Sequence, residues 1–297
     1  MSVSPAVMEG MVIRRSKKIG MWTMAWRRFR RRPLYVIAFG WILLICVIAI
    51  IGPYIAPHNY ATEFIQDANQ APSWQHLFGT NRVGQDMFSE VLYSVRFSME
   101  IAVGAIIISF FIGIAAGLWS GMAGGITDSI IMRIVDLMYA FPSYFLNLIL
   151  VVTLGHGLFP IFLSIGITQW AGHARLVRGL VLSVRGGEMA ESARSIGASG
   201  FHIARRYMWP NIVGPVIINV AMSFPGAMMQ DAGLSVVGMG LQPPQPSFGN
   251  LVAAGSTDVL AFPWLLYIPS GIFALTLIAF YLVGNGLQDA LNPKGGM

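Results

Sequence analysis

Apolar residues fall into six long runs, with polar residues gathered between them. The first is Leu34 to Ile55. At ~1.5 Å per residue it reaches ~33 Å, enough for a hydrocarbon core of about 30 Å. The second run is Ser98–Ser120 and the third Asp128–Leu154, with Pro142 inside it. That proline predicts a kink, which membrane helices tolerate where neighbours satisfy the backbone. Gly155-His156-Gly157 predicts a tight turn before a short fourth run, Leu158–Ala171. The fifth is Ile212–Gln230 and the sixth Pro263–Leu287. The pattern predicts an all-α, polytopic membrane protein with six transmembrane helices, the core lying within 98–287. Gly113, Gly117 and Gly121 recur every fourth position in the second run, a spacing that lets helices approach closely.

The polar intervals divide the rest. Residues 1–33 form a tail, with an interfacial helix expected from Trp22 to Arg32, where Trp22 and Trp26 stand one turn apart among arginines. Residues 56–97 and 235–262 form two polar excursions. The second is centred on Gln242-Pro243-Pro244-Gln245-Pro246, too rich in proline for regular structure. Residues 173–210 form a third, and it organises the chain. Two short helices are predicted there. The first covers Glu188 to Arg194, the second Phe201 to Tyr207. Gly197 supplies the break between them and Pro210 the stop. Residues 288–297 form a short tail.

Composition confirms the solvent. Charged residues are 11% of the chain and hydrophobic ones 55%, whereas globular domains carry about 25% charged residues. The net charge of +6 does not point to nucleic acid, because the basic residues lie beside apolar runs. With the N-terminus inside, the inner side collects nine basic residues of the tail, Arg133, six of the 173–210 loop and Lys294. Only Arg82 and Arg96 remain outside. The positive-inside rule therefore predicts cytoplasmic N- and C-termini, a cytoplasmic 173–210 loop, and extracytoplasmic segments at 56–97 and 235–262. Signal-peptide apolar regions span only about 7–15 residues, so the 34–55 run reads as a retained span.

Catalytic chemistry is sparse. His58, His76, His156, His173 and His202 lack metal-ligand spacing and read as polar loop residues, so neither a metal nor a catalytic residue is assigned. Arg133 and Asp136 are expected to satisfy one another on one helix face. Phosphate-loop chemistry requires a glycine before its lysine. Here the three lysines follow Ser16, Lys17 and Pro293. An ATP-driven function therefore needs a separate ATPase chain. From the residues alone, the polar loop reads as a docking surface for another protein. A channel or membrane scaffold without an ATPase stays open as an alternative, and an intramembrane enzyme as a weaker one.

Glu191, Ser192, Ala193, Gly197, Ile203 and Pro210 resemble the EAA motif of ABC-importer membrane subunits, with Ser192 replacing the second alanine. His76-Leu77-Phe78-Gly79-Thr80-Asn81 with Gly84-Gln85-Asp86 is similar to a segment of the dipeptide/oligopeptide permease family. So are Leu234-Ser235 with Gly238-Met239-Gly240 and Gln242-Pro243-Pro244, Pro263-Trp264, and Gly286 to Pro293. Asp231, Asn285 and Gln288 depart from the pattern, without bearing on the fold. The resemblance implies the C-type subunit of a type I ABC importer in the cell membrane, carrying di- or oligopeptides. Nickel chelates or oligosaccharides are the alternative cargoes within the family. It also implies a second, different permease subunit, two ATP-binding subunits that hold ATP and Mg, and an extracytoplasmic substrate-binding protein. In that picture Glu191 anchors the ATPase surface, Ser192 and Ala193 allow close approach, and Gly197 turns the chain between helices. This chain itself is expected to bind no cofactor.

Overall fold

The computed structural model describes residues 21–187, 195 and 197–291. The chain runs α1 (Met21–Arg30), α2 (Pro33–Ile55), α3 (Met87–Ala123), α4 (Gly125–Ala140), α5 (Ser143–Leu154) and α6 (Leu158–Arg185). It continues with α7 (Gly200–Ile203), a π turn at Ala204–Met208, α8 (Trp209–Val236), α9 (Phe248–Thr257) and α10 (Trp264–Leu291). Among the described residues the only bridge pairing is an isolated one, Thr80 with Asp86.

The six apolar runs became six helical segments in the expected order, with shifted boundaries. Four helical runs are long and apolar enough to cross a membrane: α2, α3, Ala204–Val236 and α10. The pair α4–α5 passes the same criterion together, but is bent by 89°. The kink expected at Pro142 is thus a near right angle. Phe141 takes an extended backbone, as a residue before proline prefers. The fourth apolar run lies in α6, which is 28 residues long, and its second half carries His173, Arg175, Arg178 and Arg185.

Two boundaries move for reasons that hydropathy does not register. α3 begins at Met87, eleven residues before the apolar run at Ser98, because Asp86 caps it: the carboxylate accepts from the Ser89 N–H. α6 runs on to Arg185 instead of yielding to a loop near His173. Its arginines have partners that keep the helix going. Arg178 donates twice to Asp128, both at 2.6 Å, and Arg175 donates to Asp136 at 2.7 Å. Asp136 therefore pairs across to α6, not with Arg133 as expected. The distance Arg133–Asp136 along α4 is short, but Arg175 also stacks 4.3 Å over Tyr139 and occupies that face.

The glycine stripe decides how the bundle packs. A Cβ on Gly113 would lie 2.5 Å from His173 Cβ, one on Gly117 2.6 Å from the Ala174 carbonyl, and one on Gly121 2.7 Å from Val181 Cγ1. α3 and α6 therefore run parallel, in backbone contact, over about two turns. α8 and α10 pack antiparallel, with Phe224 stacked on Phe280 at 4.8 Å. At the end where α2 starts, α1 lies on the C-terminal end of α10: Phe29 and Tyr35 pack against Gly286, and Tyr35 donates to Asp289 at 2.8 Å. The described parts of both terminal regions thus share one end of the bundle. α3 and α6 finish at that end too, tied by Arg185 donating to the Gly121 carbonyl at 3.0 Å.

The opposite end is built from the 56–86 stretch and α9. Arg82 pairs with Asp258, the residue that ends α9, and donates to Thr257 at 2.9 Å. The guanidinium holds the Asp258 carboxyl below the ordinary carboxylate range. This tie is therefore present above the usual carboxylate pKa and is lost as pH falls through the lowered value. The proline-rich excursion is irregular over 242–246 as expected, yet it leads into α9 through a capping box. Ser247 accepts from the Asn250 N–H, and Asn250 accepts from the Ser247 N–H. Ser247→Ala is expected to destabilise α9 locally by about 1 kcal/mol, read as faster amide exchange confined to residues 248–252.

Candidate coupling site

Between α6 and α8 the chain leaves the bundle and returns. α6 ends at Gly186. Glu191, Ser192 and Ala193, three of the six residues expected to contact a partner, lie outside the described residues, as does the helix expected over Glu188 to Arg194. Gly197 has φ +81°, with open space where a Cβ would stand. A side chain would fit there, so the positive φ is what requires glycine. From Gly200 the chain turns helical again, as expected for a second short helix.

Pro210 does not stop that helix. α7 passes into a π turn in which the Trp209 N–H bonds to the Ala204 carbonyl, and Pro210 is the second residue of α8. Widening the turn changes the hydrogen-bond register just before a residue that has no N–H to give. The helix continues through the proline to Val236.

Ile203 is 3% exposed and is the anchor of the site. It packs with Val177, Val181, Met208, Ile212 and Val216, against Ile114, Leu118 and Met122 of α3. At ~25 cal/mol per Å² of apolar surface, burying one such side chain is worth about 2–3 kcal/mol. Arg205, Arg206 and Gly197 stay exposed on the other side. The result is a short helical hairpin end with an apolar underside seated on α3 and α6 and a basic outer side. Ile203 and Met208 are buried between this segment and the bundle, in one cluster with Val177 and Val181 of the α3–α6 glycine contact.

Hydropathy alone missed the ion pairs that brace this end. Asp128 accepts from Arg178 and also from the Ser120 hydroxyl, so α4, α6 and the end of α3 meet at one carboxylate. The available signal was two acids on one helix, Asp128 and Asp136, facing Arg175 and Arg178 on another. Arg178→Lys is expected to lose one of the two parallel bonds and cost about 1 kcal/mol. A double-mutant cycle with Asp128→Asn, by thermal unfolding in detergent, measures it.

Residues 113–295 match the model of the family described as the binding-protein-dependent transport system inner membrane component. The chain belongs to that family. Residues 20–72 of this permease also match the N-terminal transmembrane domain of oligopeptide transport permease C. It is 36% identical over 271 residues to the dipeptide transport system permease protein of Bacillus subtilis, covering 91% of this chain and 85% of that one. With the oligopeptide transport system permease protein of the same organism it shares 35% over 278 residues, covering 94% and 91%. With a glutathione transport system permease protein of Escherichia coli it shares 37% over 274 residues, covering 92% and 90%. An inward-facing structure of the MetNI methionine ABC transporter has a chain of the same fold, with a TM-score of 0.55 and 18% identity, covering 69% of this chain and 98% of that one. The permease thus has the all-α, polytopic membrane fold of ABC importer permeases.

Proposed function

We propose that this permease carries di- or oligopeptides inward, as one half of a translocation pathway completed by a second permease subunit. Similarity to dipeptide, oligopeptide and glutathione permeases over more than nine-tenths of the chain carries this reading. ATP and Mg belong to two separate ATP-binding subunits, one of which receives the 186–210 loop. A substrate-binding protein docks on the opposite face. The chain is a non-catalytic subunit.

Geometry and charge support the orientation. α1 and the end of α10 share an end of the bundle with the coupling loop. Putting that end in the cytoplasm places the exposed Arg205 and Arg206 there as well. The 56–86 stretch and α9 then face the binding protein.

Uptake of labelled di-, tri- and pentapeptides by cells with and without the intact gene tests the cargo. Loss of peptide uptake, restored by the gene, is the expected result. Unchanged peptide uptake with lost uptake of a nickel chelate or an oligosaccharide would overturn it.

A further inference from the structure

His58, His76 and Asp86 stand 18 and 10 positions apart in sequence and converge at the end of the bundle where α2 finishes and α3 begins. One imidazole nitrogen from each histidine and one oxygen of the Asp86 carboxylate lie within 4.8 Å of one another. His76 Nδ1 is 3.0 Å from Asp86 Oδ1, and His58 Nδ1 is 3.9 Å from Asp86 Oδ2. The two imidazole rings are 5.6 Å apart. His58 follows α2, His76 sits in the connecting loop and Asp86 caps α3.

Two features ask for a cation here. His58 Nδ1 is buried and has no hydrogen-bond partner among the described residues. A buried imidazole nitrogen left unpaired costs free energy, which a metal bond would remove. Asp86 has a side chain only 4% exposed, and among the described residues its ion pairs are with the two histidines alone. The N-terminus of α3 presents about half a positive charge. That offsets only part of a full carboxylate charge.

The carboxylate is also held as a metal-bound carboxylate is. Asp86 Oδ2 accepts from the Ser89 N–H at 2.8 Å and from the Ser89 hydroxyl at 2.7 Å, which fixes the carboxylate and leaves Oδ1 turned to His76. The Ser73 hydroxyl accepts from the His76 backbone N–H at 3.1 Å, and the Ser89 hydroxyl accepts from the His58 backbone N–H at 3.2 Å, which fixes the main chain at both histidines. The Ser89 bonds to the carboxylate are outer contacts of the kind that orient a metal ligand. Tetrahedral zinc with arms of about 2.0–2.1 Å separates its ligand atoms by about 3.3 Å. The His76–Asp86 spacing is near that value. The ligand atoms as a group lie within 4.8 Å of one another, so binding draws them together by up to about 1.5 Å, with His58 the more exposed of the two rings.

We propose that His58, His76 and Asp86 form a divalent transition-metal site of the zinc class, with two imidazoles, one carboxylate and a fourth position for water. Imidazole donors favour zinc and its neighbours over magnesium or calcium, which take oxygen ligands. The ion staples the segment after α2 to the cap of α3 and so stiffens the 58–86 stretch. The proposal concerns binding and does not rest on the cargo or on ATP coupling.

The test uses the full-length chain, purified in detergent with a histidine-free tag and dialysed against zinc sulfate. Elemental analysis is expected to find one zinc per chain, and X-ray absorption two imidazole nitrogens at about 2.0–2.1 Å. His58→Gln keeps the α3 cap intact and is expected to weaken zinc affinity at least tenfold. His156→Gln is expected to leave it unchanged, and magnesium sulfate is expected not to compete. Absence of stoichiometric zinc on the natural chain would overturn the proposal. So would zinc binding that His58→Gln leaves untouched.

Discussion

A Gly197→Pro permease is expected to insert normally and to lose peptide uptake by at least about tenfold, with ATP hydrolysis no longer stimulated by the loaded binding protein. The reason is conformational. Gly197 sits at φ +81°, whereas proline fixes φ near −65°. Holding the native turn against that preference costs about 1–3 kcal/mol, and each ~1.4 kcal/mol is a factor of ten. No neighbour would be struck, because the space around a Cβ is open. Gly197→Asn separates turn geometry from side-chain bulk, since asparagine tolerates positive φ. It is expected to keep most uptake. Glu191→Lys tests the partner contact itself and is expected to uncouple in the same way, by reversing a charge on the proposed ATPase-facing surface. Normal uptake and normal stimulation in both Gly197→Pro and Glu191→Lys would remove the loop from the coupling path.

Gly117→Val is expected to have the largest effect on stability, ~3 kcal/mol or more, because it overpacks a helix contact that has no side chain to yield. Its Cβ would stand 2.6 Å from the Ala174 carbonyl and 2.7 Å from Val177 Cβ. Backbone cannot move aside as the end of a long side chain can. α3 and α6 must separate, and Val177 is part of the cluster on which Ile203 is seated. Gly179→Ala, on the exposed face of the same α6, is the matched control. It is expected to be neutral or stabilising by about 0.5–1 kcal/mol, since nothing lies near its Cβ and alanine is the better helix former. Thermal unfolding of the two variants in detergent makes the comparison. Equal melting temperatures would show that the α3–α6 contact is not tight.

The two predictions share a path. The exposed loop rests on Ile203 and Met208, those rest on α3 and α6, and α3 and α6 rest on each other through glycine. Gly197→Pro acts where force would enter. Gly117→Val acts where it would be passed to the bundle.

Much of this was legible in the sequence because lipid imposes a strong and simple rule. Every backbone group must be satisfied within a span, so long apolar runs have to be helices. Their order and approximate positions followed, and so did the role of the Gly113–Gly117–Gly121 stripe. Gly197 was legible as a break because few residues take its conformation. The family segments were legible because they are short, ordered and spaced.

Tertiary structure decided what depends on partners. α6 continues to Arg185 because Asp128 and Asp136 stand opposite its arginines, and a fall in hydropathy cannot distinguish a paired charge from a solvated one. Pro210 lies inside a helix because a π turn before it shifts the hydrogen-bond register. His58 and His76 read as scattered loop residues until folding set both beside Asp86. Sequence by itself determined which stretches are apolar enough to be helices in a membrane, since that depends on each residue's own transfer free energy. Only the tertiary structure decided where those helices end and which polar groups meet, since both depend on atoms contributed by distant parts of the chain.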